Sequence, residues 1–321
     1  MRTQGRRKMF PLQISYKSGF PLTLFIKDIY MKNSAVLSVL TAGTLWGLIG
    51  LFVNILSARG FEPLQITTLR VTTAMLVTAL IIWRTDIHQF LIVPGDWWMF
   101  FGNGVAGLVF FSWCFFNAIA GGSLAIAALL LYTAPVFVML MSVILFHETL
   151  TKQKFIALIM TFIGCGCITG AFAGNLVISR QTLLYGLASG FGYALYSIFG
   201  KPATEKYPPL TVSLWCFIFA SFFTLPLAGL TGKSALFSDV MVWIGILGIG
   251  VISCVFPHVL YMRGLRKLEA GHAAILATIE PVVASVVSFL FLGETFSWHK
   301  LVGIVLILAA VPILNRKAKR T

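Results

Sequence analysis

Leu131–Lys154 reads LYTAPVFVMLMSVILFHETLTKQK, and Ala277–Lys300 reads ATIEPVVASVVSFLFLGETFSWHK. The second stretch is the first displaced by 146 residues: Pro135-Val136 falls on Pro281-Val282, Ser142 on Ser288, Glu148-Thr149 on Glu294-Thr295 and Lys154 on Lys300. The same displacement carries Pro63-Leu64 onto Pro209-Leu210, Gly104-Val105 onto Gly250-Val251, Val109-Phe110 onto Val255-Phe256 and Ala127-Ala128 onto Ala273-Ala274. An apolar chain yields scattered coincidences, but not an ungapped register over several consecutive runs. The chain therefore reads as two copies of one unit.

Working outward from that repeat, the apolar runs fall near 34–57, 64–83, 97–118, 122–146, 153–172, 182–201, 208–229, 239–262, 269–292 and 299–314. Each is close to the roughly 20 residues that a helix needs to cross a bilayer. The chain is 58% hydrophobic and 11% charged, with a mean hydropathy of +0.92. A soluble domain cannot hide that much apolar surface, whereas lipid accepts it. Only Gly121-Gly122-Ser123 divides the third run from the fourth. Each copy holds five runs, an odd number, so the second copy enters the membrane upside down. The expected fold is an all-α integral membrane protein of ten transmembrane helices in two inverted five-helix repeats, an arrangement used by secondary transporters. The expected division is a basic cytoplasmic extension over 1–32, a first repeat over 33–174, a second over 181–315 and a basic cytoplasmic tail over 316–321.

The net charge of +14 does not describe a nucleic-acid surface, because the basic residues sit at the ends of apolar runs and form no stripe. With the N-terminus placed in the cytoplasm, inner segments carry nineteen of the 24 Lys and Arg residues. The outer segments then carry Arg59, Arg180, Lys233 and Lys300, and Arg70 lies within a span. This bias puts both termini in the cytoplasm and the chain in the cell (inner) membrane. The first thirty residues lack a clean apolar core or a small-residue cleavage site, so no cleaved signal is expected, and Met31 is a second candidate initiator. Cys114, Cys165, Cys167, Cys216 and Cys254 lie in apolar runs without His or carboxylate company and read as packing residues.

Trp46-Gly47 in the first span, Arg70 in the second, Tyr132-Thr133-Ala134-Pro135 in the fourth and Glu148-Thr149-Leu150-Thr151 after it form an ordered set. Glu280-Pro281-Val282, Gly293-Glu294 and Gly303 continue it at the repeat spacing. From about Lys32 to Asn315 the chain resembles the EamA-type transporters of the drug/metabolite transporter superfamily. The resemblance implies two EamA repeats, cytoplasmic ends, a central cavity between the halves, and traffic in small metabolites, often amino acids and commonly outward. It does not fix the solute.

Polar groups within spans are costly and each needs a reason. Glu280 lies eleven residues beyond Glu269, roughly 16 Å along the ninth helix, and the adjoining Pro281 weakens the helical ladder there. Its repeat mate is Ala134, which favours substrate binding or proton coupling over a shared scaffold role; the alternative is a buried glutamate hydrogen-bonded to a helix end for packing. Arg70 is a candidate substrate-carboxylate partner or half of a gate ion pair; the alternative, favoured from sequence, is a structural arginine bonding helix carbonyls or snorkelling. Trp46, Trp113, Tyr132, Tyr193, Tyr196 and Tyr261 are candidate cavity aromatics, with packing or an interfacial belt as the alternative. His258 and His272 could relay protons toward Glu280 or be satisfied packing groups. Glu148 and Glu294 occur in both copies and read as caps of the helix that follows each of them. Lys201 reads as an anchor.

A secondary transporter with a small-molecule substrate, working by alternating access, is thus the leading reading. Protons are a candidate coupling ion, and a second copy of the chain a candidate partner. A proton-coupled multidrug or amine exporter is the alternative, disfavoured by Arg70 and by Glu280 being the one carboxylate clearly within a span. A passive channel calls for repeated polar rings, and an enzyme for a nucleophile and base set; neither pattern is present in the sequence. No nucleotide loop, metal-ligand spacing or other cofactor signature is found.

Overall fold

The computed structural model describes residues 21–172 and 178–316. The N-terminal extension up to residue 20 and the tail from residue 317 lie outside the described residues. Among the described residues, ten helices are long and apolar enough to span a bilayer. They are α1 (Asn33–Ser57), α2 (Pro63–Thr85), α3 (Pro94–Ala120), α4 (Leu124–Phe146), α5 (Lys152–Thr169), α6 (Arg180–Lys206), α7 (Pro209–Leu227), α8 (Val240–Leu265), α9 (Ala270–Phe291) and α10 (Trp298–Asn315). No strand occurs among the described residues.

Local chemistry sets the helix starts. Pro63 opens α2 behind a capping box of Glu62 and Gln65. The side chains of Ser123, Thr151 and Ser179 accept from the amides of Ile126, Lys154 and Thr182, filling donors that have no partner inside the helix. The break at Gly121-Gly122-Ser123 is thus a true helix boundary. Hydropathy alone truncates α3 and α6. Their ends meet in a polar clasp, where Lys206 Nζ donates to Asp96 Oδ1 at 2.7 Å and Tyr207 Oη to Asp96 Oδ2 at 2.7 Å.

The repeats interlock around a pseudo-two-fold axis. α1 packs on α8 as α6 packs on α3, while α2 lies against α7 and α5 against α10. At the last crossing a Cβ on Gly303 would stand 2.5 Å from the Gly164 carbonyl oxygen, so only glycine admits that approach. Where polar exposure offers no penalty to separation in lipid, close backbone contact of this kind holds helices together.

Two helices carry a break followed by a proline, and α1 is interrupted as well, between Trp46 and Ile49. α4 consists of Leu124–Leu131 and Ala134–Phe146, and α9 of Ala270–Ala277 and Glu280–Phe291. Pro135 and Pro281 offer no N–H to continue the ladder. The breaks are braced by the other repeat: a Cβ on Gly43 of α1 would lie 2.5 Å from Ile279 Cγ2, and one on Gly190 of α6 would lie 2.5 Å from Thr133 Oγ1. α3 and α8 each contain a wide π-helical stretch, Gly102–Phe110 and Gly248–Val255, at equivalent repeat positions.

Glu148 corrects the expectation drawn from its place in sequence. It does not cap the following helix, α5. Its Oε1 accepts from Ala270 N at 2.5 Å and its Oε2 from Gly271 N at 3.2 Å, so it caps α9 in the opposite repeat. Among the described hydrogen bonds Glu294 caps no helix and instead takes one from Lys300 Nζ at 2.8 Å. Because α9 starts beside Glu148 and ends just before Glu294, the two acids stand on opposite faces of the bundle, as inverted repeats require. These faces are called the Glu148 face and the Glu294 face below.

Candidate functional site

Helical spacing aims three surfaces at one cavity of about 350 Å³. α1 contributes Ile49, Val53 and Ser57; α2 contributes Pro63, Ile66, Thr67 and Arg70; α3 contributes Phe111, Phe115 and Ile119. Leu124, Ala128, Leu131 and Tyr132 of α4, Ile249 of α8, and Glu280 beside the break in α9 join the wall. The cavity runs from Glu280 to the Ser57, Pro63 and Leu124 ends, and so toward the Glu294 face. A narrower extension of about 50 Å³ continues past Trp46, Tyr193, Tyr196 and His258.

Arg70 and Glu280 line both spaces but form no ion pair with each other. Arg70 Nε is buried without a hydrogen-bond partner, and among the described hydrogen bonds none joins Arg70 to a helix carbonyl, as a structural arginine would. Glu280 is the first residue of the second half of α9, so the partial positive charge of that terminus faces its carboxylate. Tyr193 Oη donates to Glu280 Oε2 at 3.4 Å. A cation and an anion held apart in one apolar cavity leave both with unmet hydrogen-bonding capacity, which a solute can fill.

Toward the Glu148 face the cavity ends in packed rings. Trp46 stands 5.3 Å from Tyr261 and 5.6 Å from His258, centre to centre. Tyr196 lies 5.2 Å from His258, and Phe217 lies 4.9 Å from the same imidazole. Tyr261 Oη and Ser197 Oγ share a 2.6 Å hydrogen bond below them. His258 Nδ1 lies 2.8 Å from the Cys254 carbonyl oxygen. A small space of about 20 Å³ lies beyond this layer, beside Ala274 and Ala277.

The expected residues Trp46, Arg70, Tyr132, Tyr193, Tyr196, His258, Tyr261 and Glu280 thus line or close one space. Trp113 does not join them: it is 54% exposed on the outer wall of the bundle and edge-on to Tyr185. His272 does not line either space; its Nε2 lies 3.2 Å from Asn315 Oδ1 at the end of α10. Lys201 Nζ donates to the Leu265 and Leu268 carbonyls, which anchors α6 to the end of α8. Ile49, Phe111 and Leu131 were not singled out from sequence, yet they line both spaces.

A ten-helix bundle of inverted repeats, enclosing ionisable groups where two broken helices meet, defines a multi-pass membrane transporter of small molecules. The chain belongs to the EamA-like transporter family, which it matches over residues 33–170 and 180–316. It is 32% identical over 200 residues to an uncharacterized transporter of Archaeoglobus fulgidus, covering 62% of this chain and 70% of that one. It is 26% identical over 212 residues to the threonine/homoserine exporter RhtA of Escherichia coli, covering 66% of this chain and 68% of that protein. A solved crystal structure shares the fold with a TM-score of 0.76 at 18% identity, covering 88% of this chain and 96% of the other.

Proposed function

We propose that the protein is a secondary active exporter of small zwitterionic metabolites of the amino-acid class. The observation that carries this reading is the unpartnered Arg70 sharing an apolar cavity with Glu280. The solute's carboxylate takes Arg70 and its ammonium takes Glu280, while Phe111, Ile49 and Leu131 accept the side chain. The likeness to a threonine/homoserine exporter supports both the solute class and the outward direction. A purely cationic amine would leave Arg70 unmatched inside the same space, which argues against the multidrug reading.

Transport proceeds by alternating access. In the conformation described here the cavity opens to the Glu294 face and the aromatic layer shuts the Glu148 face. The Lys and Arg bias assigns the Glu148 face and both termini to the cytoplasm and the chain to the cell (inner) membrane. Among the described residues, Glu280 is the only carboxylate lining the central cavity, and it is the proposed proton-coupling group.

Proteoliposomes test this with radiolabelled threonine and homoserine under an imposed pH gradient. Saturable flux of either that responds to the gradient is expected, and Glu280→Gln should abolish that response. If neither these nor a panel of the other proteinogenic amino acids shows saturable flux, the solute class is wrong.

A further inference from the structure

The same set of parts is assembled on one face of the molecule and dispersed on the other. On the Glu148 face, Glu148 caps Ala270 and Gly271 at 2.5 and 3.2 Å. A Cβ on Gly271 would stand 3.5 Å from Ser142 Oγ, 3.6 Å from Glu148 Oε2 and 3.6 Å from Met139 Cα, so the start of α9 is seated against the end of α4. Lys154 braces the joint, 3.9 Å from Glu148 and in contact with Glu269. Glu148 and Lys154 are both buried there.

The 146-residue displacement converts Ala270 and Gly271 into Leu124 and Ala125, Met139 and Ser142 into Ser285 and Ser288, and Glu148 into Glu294. In the structure these counterparts stand around one groove of about 440 Å³, with Lys300 at its rim. Glu294 is held by Lys300 at 2.8 Å and is half-exposed. Among the described hydrogen bonds, Ser123 Oγ takes the amide of Ile126, and nothing takes the amides of Leu124 and Ala125. Those are the first donors of α4, which no intrahelical carbonyl can reach.

We propose that Glu294 is the latch of the opposite gate: in the alternate conformation it releases Lys300 and caps α4 at Leu124 and Ala125, seating Ala125 against Ser285 and Ser288. This rests on the alternating-access reading, in which the repeats exchange shapes. The two latches are unequal. The mate of Glu269 is Ser123, so the Glu294 joint has no second acid for Lys300 to bridge. The Glu148 joint is the stronger, and the solute-free protein therefore rests open at the Glu294 face.

A cysteine pair at Ala125 and Ser285 reports the latch, because its counterpart positions lie within disulfide reach in the closed joint. The full chain carrying this pair is reconstituted in liposomes, treated with a mild oxidant, and the disulfide followed by mass; the chain without the pair is the control. The disulfide is expected to form. Glu294→Gln should slow it about tenfold, the loss expected when charge-assisted caps are removed. Lys300→Met, which frees Glu294, and Glu148→Gln, which loosens the opposite joint, should both speed it. Misfolding cannot move these variants in opposite directions. A disulfide that forms at the same rate in Glu294→Gln and Lys300→Met overturns the latch and leaves the exchange of shapes standing. If it never forms in any background while the chain transports threonine, both the latch and the exchange fall.

Discussion

Tyr193 and Glu280 meet at 3.4 Å within the second repeat, the tyrosine rising from α6 and the carboxylate from the break in α9. The contact is long for a hydrogen bond to a carboxylate, so it restrains Glu280 without satisfying it. Tyr193→Phe should therefore weaken solute handling rather than end it. The expected rise in KM is roughly tenfold, the lower end of what a hydrogen bond to a charged group contributes. Initial flux rates over a range of threonine concentrations measure it.

Arg70 sets binding against stability. A buried charge without a partner costs free energy that the fold must offset elsewhere. Arg70→Met should abolish saturable threonine flux, yet raise the melting midpoint of the detergent-purified protein by a few degrees. Arg70→Lys keeps the charge but loses the planar fork, and should retain a small part of the flux. An Arg70→Met protein that melts lower than the parent would mean that the guanidinium holds the structure together.

Trp46 and Trp113 separate cavity from wall. Trp46 is buried among Tyr193, Tyr196, His258 and Tyr261, so Trp46→Ala opens a void beside the cavity and should cut flux more than about tenfold. Trp113→Leu, on the outer wall, should leave flux within about twofold, as an apolar swap in an apolar medium. Comparable losses in the two variants would contradict the cavity assignment.

Gly303 and Gly50 give a matched pair for assembly. A methyl group on Gly303 would stand 2.5 Å from the Gly164 carbonyl oxygen, whereas one on Gly50 meets nothing within 4 Å. Gly303→Ala should lower the yield of monodisperse protein, at a cost of roughly 1–3 kcal/mol from overpacking. Gly50→Ala should be neutral or slightly stabilising. Size-exclusion profiles after mild heating distinguish them.

Much of this architecture is legible in the residues alone. The ungapped match of Leu131–Lys154 to Ala277–Lys300 implies the inversion, and the spans follow from hydropathy to within a few residues. The mid-span Arg70 and Glu280 stand out because charge inside an apolar run is expensive. The cavity's apolar lining is harder to read. Ile49, Phe111 and Leu131 look like any lipid-facing residue, since lipid and an apolar pocket select the same side chains. Turn spacing is the one available signal: Ile49 and Val53 follow Trp46 at three and seven residues, and Pro63, Ile66 and Thr67 precede Arg70 at seven, four and three. Trp113 misleads for the same reason, because tryptophan suits both a cavity and a wall. His272 and Glu148 mislead because their partners, Asn315 and the start of α9, are far away in sequence.

The bracing of each helix break by a glycine from the other half has a consequence for how the protein can be divided. Gly43 supports the gap at Ile279, and Gly190 the gap at Thr133, so neither half completes its own bent element. Cut between Ala171 and Ser179, the two pieces should be degraded when made singly and stable when made together. What is one gene here is structurally an obligate pair.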